Sequence, residues 1–311
     1  MNTVNFQHCG LMNELSLKDV ITNLGLEQTD ELIFNSYKNY YGKLEKEDLR
    51  GFYNVKKLDL SYNGLTNISP TLFDNFLNLK SLNLSHNELR LPYTVFEKCK
   101  FLEILDLSFN NLTKIFHELF STLYYLKYLD LSCNHLVDFV SGTFDNLKNV
   151  TFLNMSHNDI MYFTDEMFSS LHSLEILDIS FNQLIVIQPN LLKHNAMLIE
   201  VYLHDNKKAI GTLPQDFLAD LTKLRVVCLN NNKYQFLPDN LFENSTALKY
   251  INLSYNNLPT LPKNIFNGLR NLENLVLNDN RFETLPYQIL KDLINLEKLD
   301  LSGNKMTHIT R

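Results

Sequence analysis

Several features are scarce in this sequence, and each scarcity argues against a class of protein. The 311 residues include only four cysteines, Cys9, Cys99, Cys133 and Cys228, without a CxxC pair, so neither a zinc site nor a disulfide framework is indicated. No apolar run approaches the roughly 18 residues that a membrane helix needs, and residues 1–10 lack the pattern of a signal peptide. A net charge of −7 argues against nucleic acid as a partner, because phosphate binding needs a basic surface.

Signatures of catalysis are also missing. The sequence contains no GxxxxGK[ST], HExxH or GxSxG motif, which would indicate a phosphate loop, a metalloprotease or a nucleophile elbow. Aspartates recur at regular intervals, but we expect them to be exposed on an open sheet, without the burial that tunes a catalytic carboxylate. We therefore expect no catalytic residue, no metal site and no cofactor. The recurring aspartates are Asp59, Asp106, Asp130, Asp178 and Asp300.

What the chain has in abundance is one repeated phrase. LDLSYNGL at 58–65 returns ten more times with its asparagine in register. The interval between asparagines is 24 residues, except for 23 before Asn110 and 26 before Asn232. Such regularity predicts a solenoid in which each repeat packs only against its neighbours. The asparagines are Asn63, Asn87, Asn110, Asn134, Asn158, Asn182, Asn206, Asn232, Asn256, Asn280 and Asn304.

Each position of the repeat has a physical role. Alternating leucines such as Leu58 and Leu60 predict a short strand with one face buried. The asparagine follows the strand, where a sharp turn leaves backbone groups without partners, and a side-chain amide can both donate to and accept from them. A second apolar column stands ten residues further on, and we expect it to fill the outer half of the interior. Its aromatic members include Phe73, Phe120, Phe144, Phe168, Phe242 and Phe266.

On these motifs, residues 53–311 resemble the 24-residue leucine-rich repeat that is typical of extracellular receptors. The resemblance implies an α/β solenoid, a leucine-rich repeat horseshoe with a concave parallel β-sheet. It would comprise about eleven 24-residue repeats and one degenerate N-terminal repeat. The 26-residue repeat is expected to bulge by two residues without breaking the stack.

The N-terminal region departs from the consensus. Phe34, Asn39 and Leu44 each stand 24 residues before a consensus position, which predicts a degenerate repeat. Residues 16–26 are expected to form a short helix or turn. We predict an N-terminal flank or partial cap at 1–28 and a solenoid at 29–311. The last repeat stops before any capping element, so we expect the chain to be part of a longer ectodomain.

The segments Phe6-Gln-His-Cys9 and Asp19-Val-Ile-Thr-Asn-Leu-Gly25 resemble the start of invertebrate Toll receptor ectodomains. That resemblance implies the ligand-recognising part of a signalling receptor, on the extracellular side of the plasma membrane, in innate immunity or development. It also implies a cystine-knot cytokine as ligand, receptor dimerisation on binding, and Cys9 as half of a disulfide. Two alternatives remain open: a secreted or surface-anchored adhesion or matrix protein, and an intracellular scaffold.

One outward-facing column is unexpectedly apolar. Ile104, Tyr128, Phe152 and Ile176 occupy the same strand position in four consecutive repeats, and we call this set the apolar stripe. At about 4.8 Å per strand the apolar stripe would be roughly 15 Å long. Exposed apolar patches often mark interfaces, and tolerated surface residues are the alternative explanation. Phe109 and Phe181 flank the stripe beside the asparagine column, so these six residues are the candidate ligand-binding residues.

Seven N-x-[ST] sequons occur, which invites a secreted interpretation. Four of them lie within consensus phrases such as LNLS and so arise from the repeat itself. The three outside those phrases, Asn67, Asn149 and Asn244, are the candidate glycosylation sites. A glycan at Asn154 would instead obstruct the apolar stripe beside Phe152.

Overall fold

The chain folds into stacked turns, each of which contributes one short strand to a parallel sheet. The computed structural model describes residues 3–7, 25–26, 28–35, 42–206, 208 and 211–307. Contacts between Cα atoms divide the chain into two compact units, Met1–Leu153 and Asn154–Arg311, which we call the N-terminal and C-terminal units. Cys9, Asn39 and most of the predicted turn at 16–26 lie outside the described residues.

The described residues of the N-terminal unit contain ten strands and the start of an eleventh. Strands β1, β2, β4, β6, β7 and β9 follow one another in a parallel sheet, and β3–β5 and β8–β10 form two small parallel pairs. Single 3-10 turns occur at Lys46–Leu49 and His117–Phe120. The strands are β1 (Thr3–Asn5), β2 (Glu31–Ile33), β3 (Gly42–Leu44), β4 (Lys57–Asp59), β5 (Leu65–Ile68), β6 (Ser81–Asn83), β7 (Ile104–Asp106), β8 (Lys114–Ile115), β9 (Tyr128–Asp130), β10 (Asp138–Phe139) and β11 (Phe152–Asn154).

The described residues of the C-terminal unit follow the same plan, with six parallel strands in sequence order. The pairing of Glu200 with Val226 keeps the register across the 26-residue repeat. The prediction that two extra residues leave the stack unbroken is therefore confirmed. The strands are β12 (Ile176–Asp178), β13 (Glu200–Tyr202), β14 (Val226–Cys228), β15 (Tyr250–Asn252), β16 (Asn274–Val276) and β17 (Lys298–Asp300).

Alternation along each strand separates the interior from the open sheet face. In β9 the central Leu129 is fully buried, and Leu131 just beyond the strand is buried as well. The predicted outer aromatic column is also buried, with Phe73, Phe120 and Phe168 at 0% exposure. Burial of one such side chain stabilises the fold by roughly 1.5–3 kcal/mol, so the stack draws its stability from many equivalent contacts.

The consensus asparagines form the predicted ladder inside the turn. The Nδ2 of Asn87 donates to the carbonyls of Leu60 and Leu84, both at 3.0 Å. Its Oδ1 accepts from the backbone N–H of Asn63 and Leu65, again at 3.0 Å. One side chain thus joins two successive repeats, and the prediction that the amide serves both kinds of backbone group is confirmed.

The register predicted for the degenerate repeat is wrong by two residues. Leu32, not Phe34, pairs with Leu58, and the Phe34 N–H donates to the Asp59 carbonyl at 2.8 Å. Since Leu44 pairs with Ile68 at the expected interval of 24, the two extra residues fall between Phe34 and Leu44. The shifted register puts both Leu32 and Phe34 in the buried positions, which is the physical reason for it.

The described residues contain no helix long and apolar enough to cross a membrane.

Candidate ligand-binding surface

Three residues of the apolar stripe lie on the open sheet face of the N-terminal unit. Ile104 on β7 is 44% exposed and pairs across the sheet with Tyr128 on β9. The rings of Tyr128 and Phe152 are parallel within 1°, with centroids 4.4 Å apart. Both aromatic residues are half-buried, so their rings form a fixed apolar surface.

Two of the six predicted binding residues belong to the C-terminal unit. Ile176 begins β12 and is half-buried. Phe181 is 36% exposed and stacks on His157, with ring centroids 4.1 Å apart and planes 9° from parallel. The six predicted residues therefore divide between the two units, four of them in the N-terminal unit.

The structure adds two residues to the N-terminal part of this set. Tyr62, His86 and Phe109 stack in a row, with successive centroids 4.1 Å apart and planes within 11° of parallel. We call this row the aromatic ladder. Only Phe109 was predicted. The sequence did carry a signal for the row, because each member immediately precedes a consensus asparagine. Residues at the same position of successive repeats lie one strand spacing apart, which is close enough for their rings to stack.

The backbone at the aromatic ladder lies in the left-handed region. The φ angles of Tyr62, His86 and Phe109 are 57°, 53° and 52°. The sharp turn before each consensus asparagine requires this conformation, which costs an ordinary L-residue roughly 1–2 kcal/mol. Ring stacking returns about 0.5–1.5 kcal/mol per pair, so the aromatic ladder partly offsets the strain of its own backbone.

A shallow groove of about 440 Å³ runs along the aromatic ladder. Its volume lies within the range of about 300–1,000 Å³ that is usual for small-molecule pockets, but the groove is open to solvent along its length. It therefore suits the side chains of a docking partner better than an enclosed ligand. The groove is lined by Tyr62, Gly64, His86, Asn87, Glu88, Phe109, Asn110 and Cys133.

The aspartate column has a structural role that sequence reasoning missed. Asp130 is buried at 9% exposure, so the expectation that the whole column is exposed is wrong. Its Oδ1 accepts the N–H of Ser132 at 2.8 Å, and Asp59 accepts that of Ser61 at 2.9 Å in the same way. Asx turns of this kind close the strands that end in Asp or Asn, which explains why these residues recur there.

Carboxylates also surround the tyrosine of the apolar stripe. The Tyr128 hydroxyl donates to Asp130 Oδ2 at 3.3 Å. Burial, followed by the charges of Asp130 and Asp106, raises the pKa of Tyr128 well above its usual value. The hydroxyl therefore stays protonated, and the surface combines flat aromatic rings with negative charge.

The sheet face of the C-terminal unit has a different polar arrangement. The Tyr202 hydroxyl donates to Glu200 Oε2 at 2.6 Å. Cys228 is half-buried, and burial together with Asp178 and Glu200 raises its pKa to about 12. A thiol held protonated is a poor nucleophile, so the environment of Cys228 lowers its reactivity. Cys99, in the N-terminal unit, is buried at 1% exposure.

Across the ranges that the structure describes, no cluster of three or more His, Cys, Asp or Glu side chains is placed to hold a metal ion.

Comparison with known proteins decides the family. The family model described as Leucine rich repeat matches residues 38–91, 101–160, 222–282 and 270–311. A second model, BspA type Leucine rich repeat region, matches residues 133–227. This chain belongs to the leucine-rich repeat family. The predicted fold class, a parallel leucine-rich repeat solenoid, is confirmed.

Two solved leucine-rich repeat structures are informative. A chain of the Toll–Spatzle complex of Drosophila is similar with a TM-score of 0.86 and 27% identity, covering 99% of this chain and 40% of that one. A leucine-rich repeat protein of Leptospira interrogans gives a TM-score of 0.61 and 25% identity, covering 100% and 85%. The predicted resemblance to a Toll ectodomain is thus confirmed at the level of structure.

Among curated proteins, Tsukushi of Xenopus tropicalis is 43% identical over 58 residues, which are 18% of this chain and 17% of Tsukushi. This leucine-rich repeat chain spans two fifths of the Toll chain it matches and less than a fifth of Tsukushi.

Proposed function

We propose that this leucine-rich repeat chain is the ligand-recognising part of a Toll-like receptor ectodomain, on the extracellular side of the plasma membrane. The observation that carries the proposal is the similarity, at a TM-score of 0.86 over 99% of this chain, to a chain of the Toll–Spatzle complex. That complex is described as a hub in Drosophila development and innate immunity. The ligand here would be a protein, and the activity would be non-catalytic.

The sheet face of the N-terminal unit supports binding to a protein. Aromatic anchors commonly supply most of the energy at interfaces, and the stacked pair Tyr128–Phe152 is already ordered before a ligand arrives. Preorganised side chains lose little entropy on binding. The nearby carboxylates of Asp106 and Asp130 favour a ligand that presents lysine or arginine beside its apolar contacts.

A cystine-knot cytokine is the ligand class that we propose, with receptor dimerisation following binding. Ile176 and Phe181 of the C-terminal unit are proposed as a second set of contacts. Each set can be tested separately, because the two sets belong to different units.

The test is binding to purified Spatzle, measured by surface plasmon resonance with the full chain immobilised. Tyr128→Asp combined with Phe152→Asp should weaken binding by about 30-fold or more, since a residue at the centre of an interface contributes about 2 kcal/mol. Tyr250→Asp, at the same strand position in the C-terminal unit, is the matched control and should change affinity by less than about threefold. Unchanged affinity of the double variant, with intact circular dichroism, would contradict the proposed surface.

A further inference from the structure

A second apolar surface lies on the N-terminal unit, away from the residues assigned to ligand binding. A buried apolar residue stands two places before each of four consecutive sheet strands, β4, β6, β7 and β9. The members of the second surface occupy the one or two positions immediately before that buried residue. All are large and about half exposed, between 46% and 57%. We call this surface the lateral patch, and it consists of Tyr53, Leu77, Phe101, Tyr124 and Tyr125.

The lateral patch has a polar border on one side. Glu103 accepts from the Nζ of Lys80 and of Lys127, both at 2.8 Å. Within the patch the rings of Phe101 and Tyr125 stand 5.8 Å apart. Contiguous exposed apolar side chains often mark a surface that contacts another group, and here five large ones are each about half exposed.

The next residue in the same repeat column as Phe101 and Tyr125 is Asn149, which begins the sequon Asn149-Val-Thr151. Asn149 is exposed, and its Nδ2 donates to the Tyr124 carbonyl at 2.6 Å. That carbonyl joins the two tyrosines of the lateral patch. A group attached to Nδ2 therefore starts beside both rings.

We propose that Asn149 carries an N-linked glycan whose first sugar packs over the lateral patch. The inference rests on the proposed extracellular location. In the transfer, Nδ2 attacks the anomeric carbon of a polyprenyl-diphosphate-linked oligosaccharide. A C–N bond forms, the C–O bond to the diphosphate breaks, and Nδ2 loses one proton. The amide keeps its second N–H, which can still donate to Tyr124.

The chemistry of the two surfaces is complementary. The C–H groups on one face of a pyranose ring are weakly positive, and the face of an aromatic ring is negative. A sugar lying on Tyr125 would cover apolar area while its hydroxyls remain in water. The attached glycan is bulky and solubilising, which suits a patch that would otherwise promote association.

Equivalent positions in the C-terminal unit show that the hydrogen bond alone does not require a glycan. Asn271 donates to the Thr246 carbonyl and Asn295 to the Arg270 carbonyl, both at 2.9 Å. Neither asparagine begins a sequon, and Ala247 and Asn271 stand where Tyr125 precedes Asn149. Asn149 thus combines three features that these two asparagines lack: a sequon, a tyrosine in the preceding repeat and an exposed apolar patch.

The other two candidate sequons have different surroundings. Asn244 donates to the Asp220 carboxylate at 2.8 Å, and Asn67 donates to the Thr66 hydroxyl at 3.3 Å. Both side chains are exposed, so the fold would tolerate glycans there. They serve as internal references for occupancy.

The first experiment maps glycopeptides of the full chain secreted from insect cells. We expect Asn149 to be occupied, and Thr151→Ser to retain the glycan. Thr151→Val should abolish it while leaving the Asn149–Tyr124 hydrogen bond in place. An empty Asn149 in secreted protein would overturn the proposal, whether or not Asn67 and Asn244 are occupied.

The second experiment asks whether the glycan covers the lateral patch. Hydroxyl-radical footprinting should show slower oxidation of Tyr124 and Tyr125 in the glycosylated protein than in Thr151→Val. The glycan should raise Tm by roughly 1–3 °C, and this increment should be lost in Tyr125→Ser. Equal oxidation rates in the two proteins, or self-association that the glycan leaves unchanged, would overturn the packing. Neither readout uses Spatzle, so failure of ligand binding would leave this result standing.

Discussion

The residue before each consensus asparagine has left-handed backbone in both units, but the two units fill that position differently. In the N-terminal unit, Tyr62, His86 and Phe109 place aromatic rings there, stacked 4.1 Å apart. In the C-terminal unit, Asp205 and Asn231 occupy it and hydrogen-bond to each other. That unit also uses Asp279 and Gly303. It keeps one stacked pair, His157 and Phe181, and a further aromatic residue, Tyr255.

The difference shows how one backbone requirement can be met in two ways. Asn, Asp and Gly tolerate positive φ with little strain, so four of the seven positions in the C-terminal unit follow the local preference of the chain. Tyr62 and Phe109 oppose that preference and depend on their neighbours for compensation. Strain alone does not distinguish the N-terminal unit, because His157, Phe181 and Tyr255 of the C-terminal unit also have positive φ. What distinguishes it is that three such residues are stacked in one row.

The largest effect that we expect is the loss of stability on removing a consensus asparagine, and it should be equal in the two units. A difference between them would show that the units are not built on the same asparagine ladder. Asn134→Ala and Asn256→Ala should each lower the free energy of unfolding by about 3 kcal/mol or more. Each substitution leaves several buried backbone groups without partners, and each such group costs about 1–3 kcal/mol. Urea unfolding followed by circular dichroism measures the change.

Asn271→Ala is the matched control for the asparagine ladder. Its side chain is exposed and donates to one carbonyl, so the loss should stay below about 1 kcal/mol. Similar small losses in all three variants would show that the buried asparagines are not what joins the repeats.

Substitution of the residue before a consensus asparagine should affect the stability of the two units differently. Phe109→Asn should change stability by less than about 1 kcal/mol, because the lost stacking is offset by relief of the backbone strain. Asp279→Ala should destabilise by about 1 kcal/mol, because alanine has no compensation for positive φ. Thermal unfolding of both variants provides the comparison, and a loss in Phe109→Asn well above that in Asp279→Ala would contradict it.

The smallest effect concerns Glu103 in the N-terminal unit. Hydrogen bonds from Lys127 and Lys80 lower its pKa to about 2, below the value near 4.3 expected in the unfolded chain. The stabilising contribution is therefore present above about pH 4.3 and is lost as pH falls towards 2. Glu103→Gln should reduce stability by less than about 1 kcal/mol at pH 6 and by nothing measurable at pH 2.

Titration of Glu103 by NMR provides the direct measurement. The double variant Lys80→Met, Lys127→Met should raise the pKa of Glu103 towards its usual value. A pKa that stays near 2 without the lysines would show that another group is responsible.

Much of the site could be predicted from single positions, and the exceptions have a common cause. Ile104, Tyr128 and Phe152 were found because strand alternation directs them outward. Tyr62 and His86 were missed because nothing in either residue type indicates a stacked row. The aspartate column was misread because an outward-pointing carboxylate can turn back to its own backbone at Ser132, and only coordinates show this.

The amino-acid sequence by itself determined the repeat, the strand positions and the asparagine ladder, because each depends on spacing and on the chemistry of one residue. The tertiary structure alone decided which side chains from different repeats meet. The aromatic ladder and the approach of Asn149 to Tyr124 both arise from stacking one turn on the next. So does the shifted register of Leu32, since the packing of the interior, and not the interval along the chain, selects which apolar residues are buried.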